Sequence, residues 1–135
     1  LTEKKIQFYG ILGNNDGERK GLKKAFEYIN GNFLGDVGKI IIGNKKFGIY
    51  HGTDEKKKNK MINSEKFDVF VYGHTHRLDP ENGIIKKIGR TVVLNPGSAH
   101  SSAKTYYSDP PYFRNPSIMI YEIETEKIEF FNLSD

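Results

Sequence analysis

The stretch "YGHTHRL", residues 72–78, sets two imidazoles one residue apart directly after the chain's most apolar run, "FDVFVYG". The other histidines are His51, which follows the strand-like "FGIY", and His100. Asn14 in turn follows "FYGIL". In α/β sheets ligands collect beyond the carboxyl ends of strands, where the loops converge on one crevice. Asn14, His51, His74 and His76 all stand at such ends. An extended segment alternates its side chains, which would send His74 and His76 the same way and Thr75 the other. Gly13, Gly52 and Gly73 beside these positions allow sharp exits from the strands and close ligand approach. Singly, each residue has a plainer reading. Asn14 and Asp16 are good helix N-caps, His51 suits a satisfied buried histidine, and His74 and His76 could close a strand in a polar network. Together they favour a metal. Imidazole with an amide oxygen suits Mn²⁺, Fe²⁺, Ni²⁺ or Zn²⁺ better than calcium.

The elements that must position these residues are legible in outline. "KIQFYGIL" (5–12) reads as a strand and ends in the turn cluster "GNNDGER". Leu22, Ala25, Phe26 and Ile29 then fall on one helical stripe that Asn30 and Gly31 stop. "KIIIGNKKFGIYHG" predicts a hairpin, with Gly43-Asn44 as a type II′ turn. Residues 54–65 predict a short helix with Met61 and Ile62 inward, and 67–73 a strand buried on both faces. "GIIKKIGRTVVLNPG" predicts a second hairpin through Gly89-Arg90, and "SIMIYEIETEKIEFFNL" a third. The Pro-, Ser- and Tyr-rich segment between them reads as a long loop. It holds His100 without ligand spacing, Tyr106, Tyr107, Tyr112 and Phe113 as packing residues, and Arg114 as structural or phosphate-facing. The pattern is mixed α/β, in one domain over residues 1–135.

Bulk properties narrow the class. At 135 residues, 36% hydrophobic and 28% charged, the chain suits a globular domain with a real core. It contains no cysteine, which excludes disulfides, thiolate zinc sites and a cysteine nucleophile. There is no apolar run of membrane-spanning length, and "LTEKKIQFYG" lacks a signal-peptide layout, so a cytoplasmic protein without a membrane partner is expected. The net charge of +4 owes much to "DEKKKNK" (54–60), read as one exposed helix face. A single lysine cluster without interleaved aromatics does not indicate nucleic acid.

"GNND" (13–16), "HG" (51–52), "GHTH" (73–76) and "NPGS" (95–98), in that order, closely resemble the calcineurin-like metallophosphoesterases, with the small YfcE-type phosphodiesterases as nearest match. The resemblance runs across nearly the whole chain. It implies a layered αββα sandwich holding two divalent metals, Mn²⁺ foremost, that activate a water against a phosphate ester. By position it implies that Asn14, His51 and His74 bind the second metal and that His76 reaches the first. Asn15 stands where many relatives carry a histidine that assists the leaving group, a role an amide cannot fill as an acid. Asp16 would hold the loop or cap the helix. The family's Asp-x-His and Gly-Asp motifs of its first two strands do not occur in this sequence. Asp36, in "GDVG", lies after "GNND" rather than before it and is expected to be a turn residue, while Thr53 replaces a usual second histidine. The expectation is a phosphodiesterase that starts at the family's third strand, binds at most one metal and is weak or inactive alone. Open strand edges would then favour a homo-oligomer. The alternative is a non-catalytic scaffold on the same fold, as the eukaryotic retromer subunit is.

Overall fold

A computed structural model describes residues 6–14, 19–100, 103–104, 113–114 and 116–133. In chain order the elements are β1 (Tyr9–Gly10), α1 (Arg19–Tyr28), β2 (Asn32–Phe33), β3 (Val37–Ile42), β4 (Lys45–Tyr50), α2 (Glu55–Asn63) and β5 (Val69–Tyr72). There follow β6 (Leu78–Asp79), β7 (Lys87–Ile88), β8 (Thr91–Pro96), β9 (Ala103–Lys104), β10 (Phe113–Arg114), β11 (Ser117–Glu122) and β12 (Lys127–Asn132). None of the described helices is long and apolar enough to cross a membrane.

The central sheet runs β3-β4-β5-β8, with β6 and β7 both pairing along the far edge of β8. Strands β4, β5 and β8 are mutually parallel, with Phe47 beside Val69 and Val69 beside Val92. Parallel strands covered on both faces read as unbroken apolar runs, and Val69, Phe70, Val92, Val93 and Leu94 are all buried. One face of this sheet carries Tyr50, Phe67, Phe70 and Val93, which pack against Ile62 of α2. On the other face Phe47, Val69, Val92 and Leu94 pack against Met119, Tyr121 and Ile128 of the β11–β12 hairpin.

A second pair of layers follows from the period of two in strands. Beside β1, Ile11 and Leu34 lie against Gly38 of β3, while Gly10 faces Phe26 of α1. A Cβ built at Gly10 would lie 2.0 Å from Phe26 Cζ, so the aromatic ring occupies the space that any other residue would need. The β1–β2 pair is thus sandwiched between α1 and the central sheet, and α2 covers that sheet's far side. Helix, sheet, sheet, helix is the four-layer αββα order expected from the sequence.

Local expectations largely hold, with instructive differences. Regular pairing in the 5–12 run is confined to Tyr9–Gly10, although bonds from Asn32 N to Phe8 O and Leu12 N to Gly35 O extend the alignment. Helix α1 has no fully buried residue: Leu22 and Phe26 are half-buried, and Ile29 lies exposed beyond its end. Its stop is Asn30 at φ +55°, with Asn30 N bonded to Glu27 O and Gly31 N to Phe26 O, a Schellman pattern. The left-handed residue is therefore the asparagine and not the glycine. At the Gly43-Asn44 turn only the glycine has positive φ, as type II′ requires. Among the described residues of the long loop, β9 and β10 pair antiparallel. Tyr106, Tyr107 and Tyr112 lie outside the described residues, as do Asn15 and Asp16.

Candidate metal centre

Because β4, β5 and β8 run parallel, their carboxyl ends open on one edge of the sheet. His51 leaves β4 there, Gly73 and His74 leave β5, and Asn95 sits near the end of β8. Tyr50 and Tyr72 are cross-strand partners, which brings the segments that follow them side by side. Gly73 N donates to His51 O at 2.9 Å, and the His51 and His74 rings meet edge to face with centroids 5.2 Å apart. Asn14 arrives from the β1 layer: His51 Nε2–H donates to Asn14 Oδ1 at 2.7 Å. Three of the four expected ligands are thereby gathered.

The expected reason for the His-x-His geometry is corrected. His74 and His76 do not lie on an extended segment; both have left-handed backbones, at φ +69° and +60°. Thr75 N donates to Gly73 O at 2.8 Å across His74, closing a γ-turn of the strained, positive-φ kind. Nor does Gly73 make the sharp exit, since the positive φ belongs to the histidines. What holds the turn is Asn95, fully buried near the end of β8. Its Nδ2 donates to Thr75 Oγ1 at 3.1 Å and to Gly73 O at 3.4 Å, and its Oδ1 accepts from Gly97 N at 2.9 Å. Thr75 Oγ1 also accepts from Arg77 N. In the sequence Asn95 shows only as part of "NPGS" and as a polar side chain directly after the apolar run "VVL".

Asn95→Ala would leave the Gly97 amide without its side-chain partner and Thr75 Oγ1 with the Arg77 amide alone. The expected cost is about 1–3 kcal/mol of stability, read from a urea titration, with weaker ion binding from the same variant.

On the other side of the centre, α2 is fixed to the end of β4. Asp54 caps it by accepting from Lys57 N at 3.1 Å, and Asp54 N donates to the Tyr50 hydroxyl. A cleft of about 360 Å³ lies between these parts, lined by Asn14, His51, Asp36, Tyr50, Thr53 and Lys57 among others. Asp36 is the turn residue expected of it, ion-paired with Arg19 at 2.8 Å. His100 lies in the loop, exposed, its backbone N bonded to Ser98 Oγ.

The donor set can be weighed against a divalent cation. Asn14 Oδ1 and His51 Nε2 stand 2.7 Å apart, joined by a hydrogen bond that an ion held by both would replace. Burial, aided by the neighbouring His76 and Lys58 charges, lowers the His74 pKa, which favours the neutral ring that binds metal. Among the described residues no three His, Asp or Glu side chains group closely enough to hold a metal, so a third donor exists only when the Asn14 amide is counted. Asn14, His51 and His74 are the described residues that could hold one divalent ion.

The fold agrees with the comparisons. The calcineurin-like phosphoesterase superfamily domain matches residues 1–126, and the chain belongs to that family. It is similar to "Phosphodiesterase MJ0936" of Methanocaldococcus jannaschii, 37% identical over 86 residues; the match covers 63% of this chain and 49% of that protein. A solved archaeal phosphodiesterase superposes with a TM-score of 0.73 at 29% identity, over 93% of this chain and 68% of that one. Zinc-complexed Vps29 of Entamoeba histolytica superposes at 0.56 and 22% identity, over 94% and 83% of the two chains, a likeness of fold.

Proposed function

We propose that the protein is a metal-dependent phosphodiesterase whose Asn14, His51 and His74 hold one divalent ion, with His76 directed to a second position. The observation that supports this most is the meeting of His51 with both Asn14 Oδ1 and the His74 ring at the carboxyl ends of adjacent parallel strands. Family membership makes a phosphate ester the substrate class. A neutral set of two imidazoles and an amide suits Mn²⁺, with Ni²⁺, Fe²⁺ and Zn²⁺ as alternatives. When bound, such an ion activates water and offsets charge developing on phosphoryl oxygens. The chain's own part is to orient the His74 imidazole through the Asn95-braced turn and, by burial, to favour its neutral form. Asn15 and Asp16 follow Asn14 in sequence; in this reading Asp16 would hold the loop or cap the helix, and Asn15 stands where relatives carry a leaving-group histidine, a role its amide cannot fill as an acid.

The test is metal content after dialysis together with hydrolysis of bis-p-nitrophenyl phosphate. One Mn²⁺ per chain is expected, with slow turnover that EDTA removes. Two ions per chain with fast turnover would overturn the one-ion reading, and ion binding without any turnover would favour a scaffold. The scaffold reading has one observation behind it: Ile118, Ile120, Phe131 and Leu133 form an exposed apolar outer face on the β11–β12 hairpin.

A further inference from the structure

The lysine run of α2 is not the uniform solvated face that its composition suggests. Lys56, Lys57 and Lys60 are exposed, whereas Lys58 is half-buried. Its ammonium stands over the Tyr72 ring, 4.5 Å from the centroid. A Cβ built at Gly52 would touch both Lys58 Cδ, at 3.6 Å, and His74 Cβ, at 3.8 Å, so the lysine stem lies alongside the histidine turn. Arg77, half-buried, follows His76 directly, its backbone fixed by Thr75 Oγ1. Both cations line a second cleft of about 300 Å³, together with Tyr72, Thr75, Asp79 and Lys86.

Two carboxylates, Asp79 and Glu81, border this cleft and must be counted. Asp79 is already engaged: it accepts the Tyr72 hydroxyl on one side and pairs with Lys86 at 3.1 Å on the other. Among the described residues no ion pair joins Lys58 or Arg77 to a carboxylate. A compact ammonium and a planar guanidinium facing one cleft suit a phosphate, which the guanidinium can bind through two parallel bonds. With Lys86, the cations lining this cleft outnumber its two carboxylates, Asp79 and Glu81, by one, a balance that suits an anion on the substrate.

We propose that Lys58 and Arg77 form an anion subsite for a second phosphate group of the substrate, so that the substrate class is a phosphodiester bearing an additional phosphate. The subsite rests on the phosphodiesterase reading for its role, but its ligand binding is independent of the metal. Inorganic pyrophosphate titrated calorimetrically into the chain, in EDTA buffer, tests it directly. The wild type is expected to bind, and K58M/R77M to bind at least about tenfold more weakly. The control K56M/K60M removes the same charge from the same helix and is expected to bind as the wild type does. No binding by the wild type, or equal losses in the two double variants, would overturn the subsite. A thermal melt of each variant within a few degrees of the wild type shows that folding is not the cause. Failure of the phosphodiesterase reading would look different: pyrophosphate binding intact and bis-p-nitrophenyl phosphate untouched with Mn²⁺ present.

Discussion

Replacing His74 by alanine is expected to weaken Mn²⁺ binding by more than about a hundredfold and to remove metal-dependent turnover. Loss of a group that merely orients a ligand costs about 10–100-fold, and His74 is one of the three donors proposed above. His51→Ala should do the same and also free Asn14 from its hydrogen bond. His76→Ala is expected to change ion affinity no more than about threefold, because the ion lies with the other three. Isothermal titration with Mn²⁺ reads all of these, and equal losses for His74 and His76 would refute the assignment. A His74→Gly variant separates binding from strain. Positive φ costs a non-glycine residue on the order of 1 kcal/mol, so His74→Gly should bind ion as poorly as His74→Ala yet unfold at higher urea.

The largest stability loss is expected at Phe70. Its side chain is fully buried, its ring lies 5.9 Å from that of Phe67, and the missing Cβ of Gly48 leaves room for both. Truncating a core phenylalanine costs about 3–5 kcal/mol through lost transfer energy and the remaining cavity. Against a typical total of 5–15 kcal/mol, that leaves the fold marginal. A drop on the order of 10–20 °C in melting midpoint is expected for Phe70→Ala. Tyr28→Ala, at a side chain 90% exposed, should leave the midpoint within a degree or two.

How much of this was legible from sequence depended on the range of the forces involved. Apolar runs, a capping Asp54 and glycine-led turns are local signals, and the strands, α2 and the hairpins follow them. The grouping of Asn14, His51 and His74 was legible because each follows a strand and parallel strands deliver their ends to one edge. The backbone at His74 was not. Alternation holds only for extended chain, and the turn there is imposed by Asn95, twenty-one residues away in sequence. Lys58 likewise could not be told from its neighbours, since helical position matters only once the cleft beneath it exists. The half-buried character of α1 was missed for a related reason: its partner is a narrow two-residue strand pair, too small to cover the whole stripe.

The parallel pairing of β4, β5 and β8 also bears on how the molecule comes into being. Each of these pairings joins residues more than twenty apart, as Phe47 with Val69 and Val69 with Val92. Such contacts form only after loop-closure entropy has been overcome, which makes sheets of this kind slow to fold. No isolated hairpin of the chain contains two of the residues Asn14, His51, His74 and Asn95. The centre therefore cannot form within a single hairpin; it needs the long-range pairings of β4 with β5 and β5 with β8.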